Sequence, residues 1–300
     1  MARALPALSV IATPTKRQAI LDLAAEAERR GFPALACPSL GGSLALCTSL
    51  AHTTNTIRFF TSIQPIYNAT VAEVGATASH LHEVSGGRFA LGLGVSHEPM
   101  NRRLGVPYGS PMADVRDYVE RLRANERFSG ALPPIYLAAM RDRMLALTAE
   151  LAQGSIWANA AFSAVAAQLD RVPQARAESH FLSCMIPTVI DDDVEAAAAV
   201  NRKTMFNYLA MPNYRNYWKA VGYEDEINAV EAALSTGDKA GVQAAMTDRW
   251  LSDCTLYGPA SHVRDRLEAW YALGVTPIAV MSSATGGQAK AIGQLFALYD

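Results

Sequence analysis

The sequence predicts an α/β fold arranged as a (β/α)8 TIM barrel, and two observations carry that prediction. Eight short apolar or β-branched runs, each of strand length, recur along the 300 residues. The stretches between several of them are longer and place apolar residues at helical spacing, the alternation that builds a parallel sheet covered by helices. A doubly wound open sheet is the rival. Its first strand would run into a glycine-rich phosphate turn, and Ile11-Ala12-Thr13-Pro14-Thr15 is not one.

Strands are expected at 8–12, 34–37, 58–63, 88–95, 135–139, 155–159, 181–189 and 277–282. Between the first two, residues 18–30 put Ile20, Leu23, Ala24 and Ala27 on one helical face, and Gly31 supplies a left-handed terminus. Similar helices are read at 69–84, 112–127, 141–153 and 259–273, the last opened by Gly258-Pro259 with proline at its tolerated first position. A helix at 288–299 closes the chain. The interval from Asp191 to Thr276 is helical in composition rather than low in complexity. Residues 191–258 are therefore expected as a helical insertion on a single domain spanning 1–300, not as a second domain.

Composition narrows the function. Half the residues are apolar and 18% are charged, with 26 basic against 28 acidic and a net charge of −2. Such a chain has no global field to hold nucleic acid or an anionic membrane. No apolar run approaches the roughly 18 residues of a spanning helix, and residues 1–10 lack the layout of a signal peptide, so a cytoplasmic location is expected. Cys37, Cys47, Cys184 and Cys254 are widely separated and form no C-x-x-C, and His80 and His82 are two apart, which on a helix points them to different faces. Neither a metal site nor a disulfide framework is expected.

Four segments carry the chemistry. Thr61-Ser62-Ile63-Gln64-Pro65-Ile66-Tyr67 is followed by a helix ending Ser85-Gly86-Gly87-Arg88-Phe89, and then by Leu91-Gly92-Leu93-Gly94-Val95-Ser96-His97-Glu98-Pro99-Met100-Asn101. In the latter, Gly92-x-Gly94 at a strand end lets backbone approach a planar ring or a phosphate without Cβ interference. Taken alone, the pair reads first as a tight turn, because the third glycine of a dinucleotide fingerprint is missing. The third segment is Pro133-Pro134-Ile135-Tyr136-Leu137-Ala138-Ala139. The fourth, Tyr208 to Trp218, is unusually aromatic and carries Asn213, Arg215 and Asn216 between its rings, with Pro212 interrupting the helix.

In order and spacing these segments resemble the luciferase-like monooxygenase superfamily of flavin and deazaflavin barrel oxidoreductases, over nearly the whole chain. The 208–218 run resembles a branch that depends on coenzyme F420, a 5-deazaflavin. The resemblance implies an oxidoreductase moving hydride between F420 and a small organic substrate. A reduced-FMN monooxygenase on the same barrel and a non-catalytic flavin-binding homologue are the alternatives. It also places Ser62-Ile63 where relatives carry a non-proline cis peptide behind the ring, and puts Gly94, Val95 and Asn101 beside the cofactor. Ala138, Ala139, Met140 and Arg141 become the phosphate loop, with Arg141 in place of the usual glycine-rich backbone donors. His97 and Glu98 would lie on the fourth strand-helix loop and manage protons.

Besides the altered phosphate loop, one departure stands out. Many relatives end the second strand with an acidic residue and a histidine, where this chain has Ser39-Leu40, read here as substrate-binding. Tyr208, Tyr214 and Arg215 are read as a lid over the substrate, with a core-packing aromatic helix as the plain alternative. A basic track of Arg102, Arg103 and Arg141 would favour F420, with its oligoglutamate tail, over FMN. The expected partner is a small-molecule substrate, with no metal, nucleic acid or membrane, and a homodimer is left open.

Overall fold

The structure, a computed structural model, describes residues 4–103, 105, 106 and 109–300, with the side chains of Pro99, Met100 and Arg103 outside the described set. The chain divides into two compact units, Met1–Trp157 with Val172–Ser183, and Ala158–Arg171 with Cys184–Asp300.

The first unit runs β1 (Ala7–Ser9), α1 (Arg17–Arg29), β2 (Ala34–Cys37), α2 (Ser43–Thr53), β3 (Arg58–Thr61), β4 (Gln64–Pro65) and α3 (Val71–Val84). It continues through β5 (Phe89–Gly94), α4 (Glu98–Arg103), α5 (Pro111–Ser129), β6 (Ile135–Ala138), α6 (Asp142–Leu151) and β7 (Gly154–Ala158). Every pairing is parallel: Leu8 faces Leu35, Cys37 faces Thr61, Phe60 faces Ala90, Gly92 faces Tyr136, and Tyr136 faces Gly154. β2 and β5 are buried along their whole length, as parallel strands covered on both faces must be. Their run of apolar residues follows from that double burial. α1 buries Ile20, Ala24 and Ala27 and ends at Gly31, whose φ of +79° is the left-handed stop its sequence predicts.

Two charged side chains tie the starts of these strands together. The Arg88 guanidinium donates to the carbonyls of Ala51 and Thr54 and to Thr54 Oγ1 at 2.8–3.0 Å. The Glu28 carboxylate accepts the amides of Asn55, Thr56 and Ile57 at 2.6–2.9 Å. Burial works to raise the Glu28 pKa, but the three amides outweigh it and hold the group at about 2.

The second unit holds α7 (Phe162–Arg171), β8 (Phe181–Ile190) after its first three residues, α8 (Val194–Leu209), α9 (Pro212–Ala220), α10 (Glu224–Thr236) and α11 (Lys239–Ala244). It ends with α12 (Asp248–Cys254), β9 (Leu256–Gly258), α13 (Ala260–Ala272), β10 (Thr276–Ser282) and α14 (Gln288–Ala297). Side-chain caps open three of its helices: Asp193, Asp238 and Thr247 accept from Ala196, Gly241 and Trp250 amides at 2.9–3.3 Å. The Asp253 carboxylate binds the Ser163 amide and hydroxyl at the start of α7, and Tyr223 Oη, at 2.7–3.0 Å. The core is aromatic: Trp218, Trp250 and Trp270 are fully buried, and the first two meet edge to face at 4.9 Å.

The eight expected strands correspond to β1, β2, β3, β5, β6, β7, β8 and β10. Helices α2, α4 and α7 and the short strands β4 and β9 are additions, with Glu98 opening α4 rather than lying in a loop, and residues 191–258 hold α8 to α12 together with β9. Pro259 is the N-cap of α13 rather than its first helical residue. Among the described residues no helix is long and apolar enough to cross a membrane, and all four cysteines are free and buried.

Candidate functional site

The ends of β3, β5 and β6 converge because two positions lack a side chain. Thr61 Oγ1 donates to Gly92 O at 2.7 Å and accepts from Gly92 N at 2.9 Å. A Cβ on Gly92 would overlap the Thr61 carbonyl oxygen, so only glycine permits this approach. Beyond Thr61 the Ser62–Ile63 peptide is cis, and Ser62 N donates to Cys37 O at 2.8 Å. Gln64 and Pro65 then pair with Leu93 and Gly94. A Cβ on Gly94 would stand 3.0 Å from both Ala138 Cβ and Ile63 Cγ1, so Ile63, Gly94 and Ala138 meet at one point.

Polar groups surround that point. Asn101 is fully buried and donates Nδ2 to Val95 O at 3.0 Å, while its Oδ1 and the Ser62 Oγ are buried with no hydrogen-bond partner. One buried hydroxyl and one buried amide carbonyl thus stand out, since buried polar atoms are seldom left unpaired. Ser96, with φ of +60°, turns the chain from β5 into His97. Burial lowers the His97 pKa, which keeps the imidazole neutral at pH 7. Its neighbour Glu98 is exposed and ion-paired with Arg102 at 2.6 Å, so the pair expected to act together divides into an inner imidazole and an outer carboxylate.

After β6, Ala139 is buried with its amide on Ile156 O at 3.0 Å, Met140 is half-buried, and Arg141 is exposed at the N-cap of α6. The Arg141 side chain makes no capping hydrogen bond to that helix start, and Asp142 lies in its first turn. Ser39 and Leu40 are exposed in the loop between β2 and α2, Leu40 at 61%.

The remaining candidates belong to the second unit. Tyr208 and Tyr214 meet edge to face with centroids 5.0 Å apart. Arg215 is held within α9 and α10: its Nε donates to Glu231 at 3.0 Å and its Nη1 to Leu209 O at 2.7 Å, and Lys219 reaches the same carboxylate at 2.6 Å. The aromatic segment also grips the turn after β7. Trp218 Nε1 donates to Asn159 O at 3.2 Å, and Tyr217 Oη accepts from Ala161 N at 3.0 Å. Asn159, absent from the expected site, has φ of +56° and is 2% exposed. Its sequence signal was an asparagine at the last position of the strand expected at 155–159, the non-glycine type most tolerant of left-handed backbone.

The 5,10-methylenetetrahydromethanopterin reductase of Archaeoglobus fulgidus is 25% identical to this chain over 279 residues, covering 83% of each. Among solved structures, the coenzyme F420-dependent tetrahydromethanopterin reductase of Methanopyrus kandleri matches with a TM-score of 0.75 over 98% of both chains at 16% identity. The oxygenating constituent of 3,6-diketocamphane monooxygenase from Pseudomonas putida, in complex with FMN, matches with a TM-score of 0.64 over 98% of this chain and 96% of that one, at 14% identity. The structural likenesses show the fold, an α/β TIM barrel. Residues 6–277, which contain the glycine pair, the cis peptide and the aromatic segment, match the family model for the luciferase-like monooxygenases, and the chain belongs to that family.

Proposed function

We propose that the chain is an oxidoreductase that binds coenzyme F420 and exchanges a hydride between it and a small organic substrate. The observation that carries this reading is the pair of buried, unpartnered atoms Ser62 Oγ and Asn101 Oδ1 flanking the contact of Ile63 with Gly94. A planar ring lying on Ile63 and Gly94 would find there a donor and an acceptor for its polar edge. Bound F420 would supply two-electron chemistry as a hydride carrier. The F420-dependent reductase with the same fold supports this choice.

The protein's part is binding, orientation and one proton. Arg141, exposed at the start of α6, suits a phosphate. Arg102 and Arg141 are exposed and suit an acidic tail, while the Arg103 side chain of the expected track lies outside the described residues. Hydride transfer to a carbonyl carbon leaves negative charge on oxygen, which needs a proton, and the reverse reaction must remove one. His97, neutral and half-buried, takes up the proton in this reading when the substrate is oxidised and returns it as imidazolium in the reverse reaction, with Glu98 retained on the rim by Arg102.

The FMN-bound monooxygenase of the same fold supports the second reading, a reduced-FMN monooxygenase. Titration of the purified protein with oxidised F420 and with FMN, each followed by its own absorbance, decides between them. F420 is expected to bind at least about tenfold more tightly, a difference of about 1.4 kcal/mol. Saturable FMN binding without F420 binding would overturn the first reading, and binding of neither would leave a non-catalytic homologue.

A further inference from the structure

We propose that Asp114 is a positioning residue: through the Tyr67 phenol it holds the stretch of chain that carries Asn101 to the stretch that carries Ser62. The two buried, unpartnered atoms of the site lie on different stretches, Ser62 Oγ between β3 and β4 and Asn101 Oδ1 in α4, beyond β5. A ligand can use both only if the stretches keep a fixed spacing.

At one end the sheet sets that spacing. Gln64 and Pro65 pair with Leu93 and Gly94, and Ile66 N donates to Gly94 O at 2.9 Å. Past Gly94 the pairing ends, and the Asn101 stretch folds on itself: Asn101 N donates to His97 O at 3.0 Å, Gly105 N to Arg102 O at 3.1 Å and Val106 N to Asn101 O at 2.9 Å. These bonds fix its shape, not where it stands.

Asp114 fastens the far end. The Tyr67 phenol, next in sequence to Ile66, donates to Asp114 Oδ2, and Gly109 packs so close to the same oxygen that a Cβ there would overlap it. One carboxylate therefore touches both stretches. A turn further along α5, Tyr118 Oη donates to Ala69 O at 3.3 Å, so a single face of the helix grips the loop after β4 twice. An acidic residue in the first turn of a helix ordinarily complements the positive helix end. Here it also reaches a phenol 47 residues earlier in the chain, through a part-buried bond to a carboxylate, a kind stronger than a neutral hydrogen bond. That the held stretch serves a cofactor rests on the function proposed above; that Asp114 holds it does not.

The test compares Tyr67→Phe, Asp114→Ala, Asp114→Asn and the double variant of the first two, each in the full chain. Without cofactor, hydrogen exchange over residues 95–106 should be about tenfold faster in Tyr67→Phe and in Asp114→Ala, as fits the loss of one such bond. The double variant should be no faster than either, because both remove the same contact. Asp114→Asn keeps a carbonyl oxygen for the phenol and should restore most of the protection. F420 and FMN are then titrated separately, and affinity for the one that binds the unsubstituted chain should fall about tenfold in Tyr67→Phe and recover in Asp114→Asn relative to Asp114→Ala. Exchange unchanged by Tyr67→Phe would overturn the proposal, and faster exchange with unchanged affinity would leave Asp114 a structural tie and overturn its positioning role. If the unsubstituted chain binds neither cofactor, the proposed function falls, and the exchange result alone decides whether Asp114 holds the stretch.

Discussion

The turns after β5 and after β7 are fixed by opposite means. At β5 the chain closes because side chains are missing: Gly92 admits the Thr61 carbonyl, and Gly94 admits Ile63 and Ala138. At β7 it closes because large side chains are present, with Trp218 and Tyr217 each bonded to the backbone of the turn. A site formed by absence tolerates no added atom, and a site formed by bulk tolerates no removed one.

Substitutions sharpen that contrast, beginning with the largest effect. Trp218→Ala deletes a fully buried ring and the partner of Asn159 O, and should lower unfolding free energy by about 4 kcal/mol in urea denaturation. A loss under about 1 kcal/mol would show that the β7 turn holds itself. Gly92→Ala adds one methyl group against a backbone oxygen that cannot rotate away, and should destabilise by about 3 kcal/mol, near the upper end for overpacking. The same methyl at Gly293, exposed within α14 with nothing within 4 Å of it, is expected to cost nothing and to favour the helix slightly, which makes that variant the control. Tyr217→Phe removes a single oxygen and leaves the Ala161 amide buried without its partner, a cost of about 1–2 kcal/mol by thermal melting.

The smallest effect is a pH dependence confined to the region after β5 and its own unit. Burial lowers the pKa of His97 and of His180, the latter partly opposed by a hydrogen bond with Ala152. The unfolded chain binds protons near pH 6.5 and the folded one resists them, so stability falls as pH drops below about 6.5 and levels off once the folded pKa values are passed. His97→Gln should flatten part of that slope while His180 keeps the rest. An unchanged slope would place His97 in water rather than inside.

How far the sequence discloses such a molecule depends on whether an element's cause is local. Strands buried on both faces announce themselves as apolar runs, and α1 shows its periodic stripe. α2 does not, because Ser43-Leu44-Ala45-Leu46-Cys47 is apolar or small on every side and reads equally as coil or strand. β4 is two residues long, below any periodic signal. At the site, the glycine pair is visible because glycine is rare where side chains would pack. The engagement of Arg215 with Glu231, sixteen residues away on a different helix, has no local signature, so a residue read as part of a lid over the substrate is bound within α9 and α10. Asn159 had a local hint in its residue type at a strand end, but the partners that set its backbone, Met185 and Trp218, are distant in sequence.

The chain passes between its two compact units three times, after Trp157, Arg171 and Ser183. During synthesis the last segment of the first unit, Val172–Ser183, emerges ahead of the whole of Cys184–Asp300. The second unit has the reverse schedule, because Ala158–Arg171 emerges early and must wait for partners as late as Asp253, whose carboxylate binds Ser163. Vectorial emergence thus favours early completion of the half that carries the glycine pair, and leaves α7 as the segment most exposed to misassociation before its acidic partner arrives.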